Sequence, residues 1–463
     1  MALGRRKRER QGELWVAMQD VPQPAGHPFY RKLNQLLAEA EFDEYVESLC
    51  EPFYAAHRGR PGIPPGVYFR MLLIGYFEGI DSQRGIAWRC ADSLSLKSFL
   101  GYSLAEATPE HSSLTVIRKR LSIEVHEQVF AFVLKIAQVK KLLKGKIAAV
   151  DATLLEANAA MKSIVRRDTG EDWRAYLRRL AEEGGIENPT DEDLRRFDKK
   201  RKGKKVSNQE WVSPTDPDAR IMKMKDGRTR LAYKAEHAID LDSGLLLAAT
   251  IHHGDRADSE SLIESLVTAQ TNLIWSGSEA EIRNVPADKG YHKTETLAWC
   301  RSFGIRTYIP ERESKTKRKW TDKPPEWQEA YYGNRRRVRG RRSKRLQRLR
   351  SEHVERSFAH VCETGGARRS WLGGVVDVGK RYLMYAAGHN LGVVMRKLFG
   401  VGTPRTLQAE GEADSAVFLP RIRLLRRLIG ACERVVALVA GESAMDVAEA
   451  GHWRVAGAPA LAA

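Results

Sequence analysis

Lys146-Ile147-Ala148-Ala149-Val150-Asp151 is the stretch at which the period of the sequence changes. Before it, apolar residues recur at helical spacing, as in Leu33, Leu36, Leu37 and Ala40, and again in Val125, Val129, Phe132, Val133 and Ile136. From Ile147 the spacing becomes that of strands. The apolar run 147–150 ends in Asp151, 231–240 alternates loosely, Asp242-Ser243-Gly244 reads as a hairpin turn, and 245–252 is rich in apolar and β-branched residues. A helix is expected over 259–273, a strand over 282–287, a helix over 294–303 and a strand over 305–309.

That order predicts an α/β fold, a mixed sheet flanked by helices, preceded by an all-α region and followed by a helical one. A ribonuclease H-like core has this order of elements. Four parts are expected: residues 1–25 as a basic, flexible N-terminus, 26–145 as a helical N-terminal domain, 146–400 as the core, and 401–463 as a helical, partly disordered tail. The core carries a highly charged insertion at about 161–230, with a helix expected over 173–183 and few residues that could build a sheet. Within the helical domain, a helix over 66–78 and another over 82–92 are joined by Gly79-Ile80-Asp81, a connection compatible with a helix-turn-helix that docks on DNA.

The 463 residues exceed what one core usually serves, and the formal net charge of +18 calls for a polyanionic partner, nucleic acid by default. Five dispersed cysteines without a CxxC pair indicate neither a disulfide framework nor a thiolate zinc site, and fit a reducing cytoplasm. No signal-peptide core and no apolar stretch of membrane-spanning length is seen, so a location in the cytoplasm, away from membranes, is expected.

Three acids stand out. Asp151 closes a short apolar strand, where it either holds a ligand at the sheet edge or caps the segment 153–160. Asp288, in Ala287-Asp288-Lys289-Gly290-Tyr291, is either a second ligand or part of an ordinary turn. Glu355 shares a helical face with Phe358, Ala359 and Cys362, and a carboxylate turned toward an apolar side requires a partner or a metal. Just before it, ten of the sixteen residues 335–350 are basic: Arg335, Arg336, Arg337, Arg339, Arg341, Arg342, Lys344, Arg345, Arg348 and Arg350. They form either a solvated like-charge run or, with Arg356 where it does not pair with an acid, a set that grips backbone phosphates as a lid over the acids. Trp320, Trp327, Tyr331 and Tyr332 either stack on an unpaired base or anchor a loop. His252, His253 and Asp255 match no standard zinc spacing.

At these residues the chain resembles bacterial insertion-sequence transposases of the DDE class. The matching pieces, in order, are Val150-Asp151-Ala152-Thr153, Thr215-Asp216-Pro217-Asp218-Ala219-Arg220, Ala287-Asp288-Lys289-Gly290-Tyr291 and Val354-Glu355-Arg356-Ser357-Phe358, followed by Lys380-Arg381-Tyr382-Leu383 and His389-Asn390-Leu391-Gly392. The resemblance implies cut-and-paste transposition of double-stranded DNA by a homodimer acting on terminal repeats and target. It implies Asp151, Asp288 and Glu355 as catalytic residues and ligands of two Mg2+ ions, with Mn2+ as a substitute. Many related enzymes place Tyr, Arg and Lys around the glutamate; here Ser351 lies four before Glu355 and Cys362 seven after, so Arg348, Arg350 or Arg356 would take the phosphate-gripping role. Two other readings stay open: a transposase-derived DNA-binding protein without catalysis, and an RNA-processing nuclease on the same core.

Overall fold

The computed structural model describes residues 26–55, 62–201, 207–313 and 319–409. The basic N-terminus, the Lys-rich centre of the insertion and the tail beyond residue 409 lie outside them. Among the described residues seven α-helices come first: α1 (Pro28–Glu39), α2 (Phe42–Cys50), α3 (Pro65–Glu78), α4 (Gln83–Asp92), α5 (Leu94–Phe99), α6 (His111–Arg120) and α7 (Ile123–Val139). Helix α3 is apolar all round and buried from Gly66 to Phe77, and α2 and α4 pack on it. Its one buried charge, Arg70, donates to both carboxylate oxygens of Asp43 at 3.1 and 2.7 Å and to Asn34 Oδ1 at 2.7 Å. Helix α3 ends on Gly79 at φ +69°, and Ser82 caps α4 by accepting from the Gly85 N–H.

The core comprises β1 (Ala148–Glu156), β2 (Val165–Arg166), α8 (Trp173–Glu183), α9 (Asp191–Lys200), β3 (Trp211–Val212), β4 (Arg220–Lys223), β5 (Thr229–Asp240), β6 (Leu246–His253), α10 (Asp258–Trp275), β7 (Asn284–Pro286), α11 (Thr294–Ser302), β8 (Arg306–Tyr308), α12 (Pro325–Val338), α13 (Arg341–Phe358) and α14 (Val375–Phe399). A short α15 (Pro404–Ala409) ends the described chain. Strand β5 is central: β1 runs antiparallel along one edge, while β6 and the short β4 share the other. Parallel bridges Ile147↔Asn284 and Val150↔Ala287 bring β7 beside β1, and β7 pairs in parallel with β8. The sheet is therefore mixed, antiparallel on one side of β1 and parallel on the other.

Residues 231–240 of β5 are buried, so both faces of the strand are covered. The period of two assigns the neighbours: Glu236 meets Ser261 and Ser265 of α10, while His237 meets Ser357 of α13 and Tyr382 of α14. Helix α14 is buried along most of its length and packs on α3 and α7 as well as β6. Among the described residues no helix is long and apolar enough to cross a membrane.

Three expectations are corrected. Asp151 does not close its strand: β1 continues to Glu156 because β5 offers partners as far as Ala232. The insertion does contribute to the sheet, since Arg220–Lys223 adds β4 to the edge of β5, while α8 and α9 close a small core around Leu177, Ala181 and Leu194. The helix bearing Glu355 stops at Phe358 and continues as a π-helix, Ala359–Thr364, so the spacing that set Glu355 on the face of Cys362 breaks, and Glu355 is exposed.

Two outcomes are expected. Asp43→Ala removes the carboxylate partner of the Arg70 guanidinium, 6% exposed, leaves it Asn34 and the Phe99 carbonyl, and lowers stability by about 2 kcal/mol, read as a lower urea midpoint at unchanged m; an unchanged midpoint would refute the role. Burial lowers His126 to about 4 and His389 to about 3. The unfolded chain takes up these protons below its ordinary histidine value of about 6.5 and the folded chain does not, so stability is full above that pH and declines as pH falls toward 4. The urea midpoint should drop between pH 7.5 and 5, and drop less in His126→Gln.

Candidate active site

Strand β1 places Asp151 opposite His237 of β5, and the parallel bridge Val150↔Ala287 sets Asp288, the first residue past that bridge, next to Asp151. Adjacent strands lie about 4.8 Å apart, so the two carboxylates feel each other. Burial is the main influence raising the Asp151 carboxyl above the ordinary carboxylate range; Asp288 and Asp258 add to it, and Arg350 and the Ala152 N–H oppose it. Asp151 retains 31% of its side-chain exposure and Asp288 is exposed, so the pair opens to solvent.

Asp288 is held by the turn after it. Lys289–Tyr291 forms a 3-10 turn, and the buried Tyr291 hydroxyl donates to Glu236 Oε2 at 2.8 Å. The same carboxyl group accepts from Ser261 at 2.7 Å and from Ser265, which satisfies a polar group on a fully buried strand. Gly290 leaves room there: a Cβ would stand 2.5 Å from Asp258 Oδ2 and oblige that carboxylate to shift. Asp258 in turn accepts from the buried Lys234 Nζ at 3.0 Å. Local spacing marks Asp258 only as the start of a helix; its nearness to Asp151 arises from the packing of α10, which spacing does not report.

Helix α13 lies over the pair. Gln347 Nε2 donates to the carbonyls of Ala287 and Tyr308 at 3.2 and 2.5 Å, Arg342 to Asn284 at 3.2 Å, and Arg350 Nη1 to Asp151 Oδ2. Further along, Ser357 gives its proton to the Val354 carbonyl, so it accepts from His237 Nδ1–H, and His237 Nε2 accepts from the Tyr382 hydroxyl at 2.8 Å. Burial holds His237 neutral, stacked on Phe358 at 4.1 Å.

Glu355 is not drawn into this arrangement. Five residues beyond Arg350, it is rotated about 140° around the helix. Among the described residues no group of three or more His, Cys, Asp and Glu stands close enough to hold a metal ion. The structure thus brings Asp151 and Asp288 together, adds Asp258 nearby and leaves Glu355 apart.

The basic tract is helical, spread over the end of α12 and most of α13, and it divides in two. Arg335 pairs with Glu311, Arg337 donates to the Thr307 carbonyl, and Arg342 and Arg350 are bound as above; Arg356 pairs with Glu352. Arg336, Arg339, Arg341, Lys344, Arg345 and Arg348 are exposed. Trp320 packs on Tyr331 and Tyr332, which supports the anchoring role for these aromatics. Beside Asp151 a cleft of about 850 Å³ starts at Ala152 and Thr153 and is walled by Arg230, Lys234, Arg256, Arg312 and Arg368. The Thr215–Arg220 motif is structural: Asp216 accepts from the Tyr233 hydroxyl and the Gly374 N–H, and Asp218 from the Val375 N–H, so the two acids cap α14.

A family model described as "Transposase DDE domain" matches residues 144–387, more than half of the chain, and one described as "Transposase domain (DUF772)" matches residues 17–120. No curated protein and no solved structure matches the chain. The first match starts at Lys144, just before β1, and spans the strands that place Asp151 and Asp288 and the helix that carries Glu355. The chain belongs to the family of transposases with a DDE domain.

Proposed function

We propose that this chain is a DNA transposase that binds the ends of a mobile element and catalyses strand cleavage and strand transfer with divalent metal, Mg2+ or in its place Mn2+. The observation that carries the reading is the side-by-side placement of Asp151 and Asp288 by the β1–β7 pairing. The sheet order β6–β5–β1–β7–β8, antiparallel then parallel, supports a ribonuclease H-like core.

The donor set fits a hard cation. Two carboxylates held together repel, and Arg350 compensates one of them here. When bound, two such ions supply charge neutralisation at the attacking and leaving oxygens of a phosphodiester. Asp151 and Asp288 would hold them; Glu355, which stands apart from the pair here, is assigned as third ligand by its motif alone. The task of Arg350 is to trade Asp151 for a phosphate oxygen once the acid has another cation. The exposed arginines of α13, with Arg230, Arg312 and Arg368 along the cleft, grip the strand on either side of the scissile bond. The hydroxyl of a water, and later a freed 3′ hydroxyl, is the nucleophile. The helical N-terminal domain takes part in binding the ends, and a homodimer brings two ends together in the cytoplasm.

One second reading has an observation in its favour. Arg350 on Asp151 and the exposed Glu355 also suit a transposase-derived DNA-binding protein without catalysis.

Duplexes carrying the inverted repeats that flank the gene separate the two. Asp288→Asn should reduce Mg2+-dependent end cleavage by more than about a hundredfold while end binding changes little; cleavage by the variant at the wild-type rate would discard the metal assignment, and no cleavage by wild type would select the second reading. Tyr291→Phe removes one donor to Glu236 and loosens the Asp288 turn. It should raise the Mg2+ concentration for half-maximal cleavage about tenfold, with near-normal rate at saturation; an unchanged metal requirement would deny Tyr291 that role.

A further inference from the structure

A second cavity, of about 580 Å³, lies between the helical domain and the core. The α3–α4 turn and α6 form one wall, with Arg84, His111 and Arg118; Trp371, just before α14, and Arg381 on that helix form the other. Its floor includes Leu72, Ile86 and Tyr385.

Arg118 is the telling residue. Only 7% exposed, it donates through Nε to Asp377 Oδ2 at 3.2 Å, while its buried Nη1 has no hydrogen-bond partner. A buried guanidinium N–H without an acceptor costs on the order of the full desolvation of a charged donor, so an acceptor is missing from this wall. The acids nearby do not supply it. Asp81 takes the Trp371 indole N–H at 2.8 Å, and Asp377 is shared between Arg118 and Lys380. Arg381 is already steadied by the Gly366 carbonyl at 3.0 Å and the Tyr385 hydroxyl at 3.2 Å. Arg84 is exposed at the opening, and Trp371, 46% exposed, lines the same cavity with the Arg369 guanidinium over its ring at 4.6 Å.

We infer that this cavity binds a nucleotide phosphate of a DNA strand, with Arg118 and Arg84 on the phosphate oxygens and Trp371 against the sugar or base. Guanidinium forks match phosphate geometry, and an aromatic ring at the rim suits a nucleotide better than a bare anion. The inference rests on the DNA-binding reading above and adds a contact that neither the acids nor the basic tract provides. Because its walls come from both matched regions, one phosphate would fix the strand relative to both.

The test uses the full chain and a labelled duplex carrying the flanking terminal repeat, titrated over a range of salt. Arg84→Ala, an exposed change, and Trp371→Ala should melt as wild type does and bind about tenfold more weakly; for Arg84→Ala the slope of log K against log salt should fall by about 0.9. Arg118→Gln should do the same where it folds. Unchanged affinity and slope in folded Arg84→Ala and Trp371→Ala overturn the site. Competition distinguishes the source: dAMP that displaces no duplex but binds wild type, with an unchanged duplex slope in Arg84→Ala, overturns the strand in favour of a free nucleotide. If wild type binds no duplex, the DNA-binding reading itself fails, and the phosphate site survives only if dAMP or inorganic phosphate raises the melting temperature of wild type and not of Arg84→Ala.

Discussion

A buried strand that carries ionisable side chains must find a partner for every one of them, and β5 carries five: Tyr233, Lys234, Glu236, His237 and Asp240, all at most 4% exposed. Each is satisfied from outside the strand. Tyr233 reaches Asp216, which caps α14; Lys234 reaches Asp258 on α10; Glu236 collects two serines of α10 and Tyr291; His237 takes Ser357 of α13 and Tyr382 of α14; Asp240 accepts from the Lys144 N–H before β1. Apolar packing would tolerate small shifts of these elements, whereas hydrogen bonds to buried polar groups do not. The polar residues of one strand therefore fix where the flanking helices and the Asp288 turn can lie.

The acids sit one strand away, on the open side of that frame. Asp151 and Asp288 are neighbours because β1 and β7 run parallel, and a parallel pairing keeps the same end of both strands at the same edge. Two carboxylates at such an edge are electrostatically unfavourable without a cation. Arg350 meets that need at Asp151 from a helix whose position is set four and seven residues later by Val354 and by Ser357. The charge that balances the pair and the element that presents Glu355 are therefore the same helix.

Much of this is legible in residue order. The period change at Ile147, the α3–α4 turn through Gly79 and the alternation of elements from β5 to β8 obey local rules of spacing and turn chemistry. The Asp288 motif also reads as a turn, yet its purpose lies in Tyr291, whose partner Glu236 is 55 residues away. The extent of β1 escapes local reading because Thr153, Leu154 and Leu155 are paired with Ala235, Lys234 and Tyr233 of β5, about eighty positions along the chain. Placing Glu355 on an apolar face assumes an unbroken α-helix, and no local signal announces the π-helix after Phe358. Arg350 as the partner of Asp151, 199 positions apart, is beyond any periodic pattern.

Helix α14 ties the two halves of the chain into one frame. Its Lys380 donates to the Arg118 carbonyl and its Tyr385 hydroxyl to the Ile80 carbonyl, both in the helical domain, while Asn390 pairs with both backbone groups of Leu246 on β6. Between these contacts Tyr382 reaches His237, which stands opposite Asp151. The helix is pinned at its start by Asp216 and Asp218, so the caps settle its register independently of the other contacts. A chain of direct contacts thus runs from Arg118 through α14 to the strand position beside the first acid. Apolar helix packing alone would have left the helical domain free to slide along α14; the hydrogen bonds at Arg118 and Ile80 choose one register, and with it one orientation of the α3–α4 turn relative to Asp151 and Asp288.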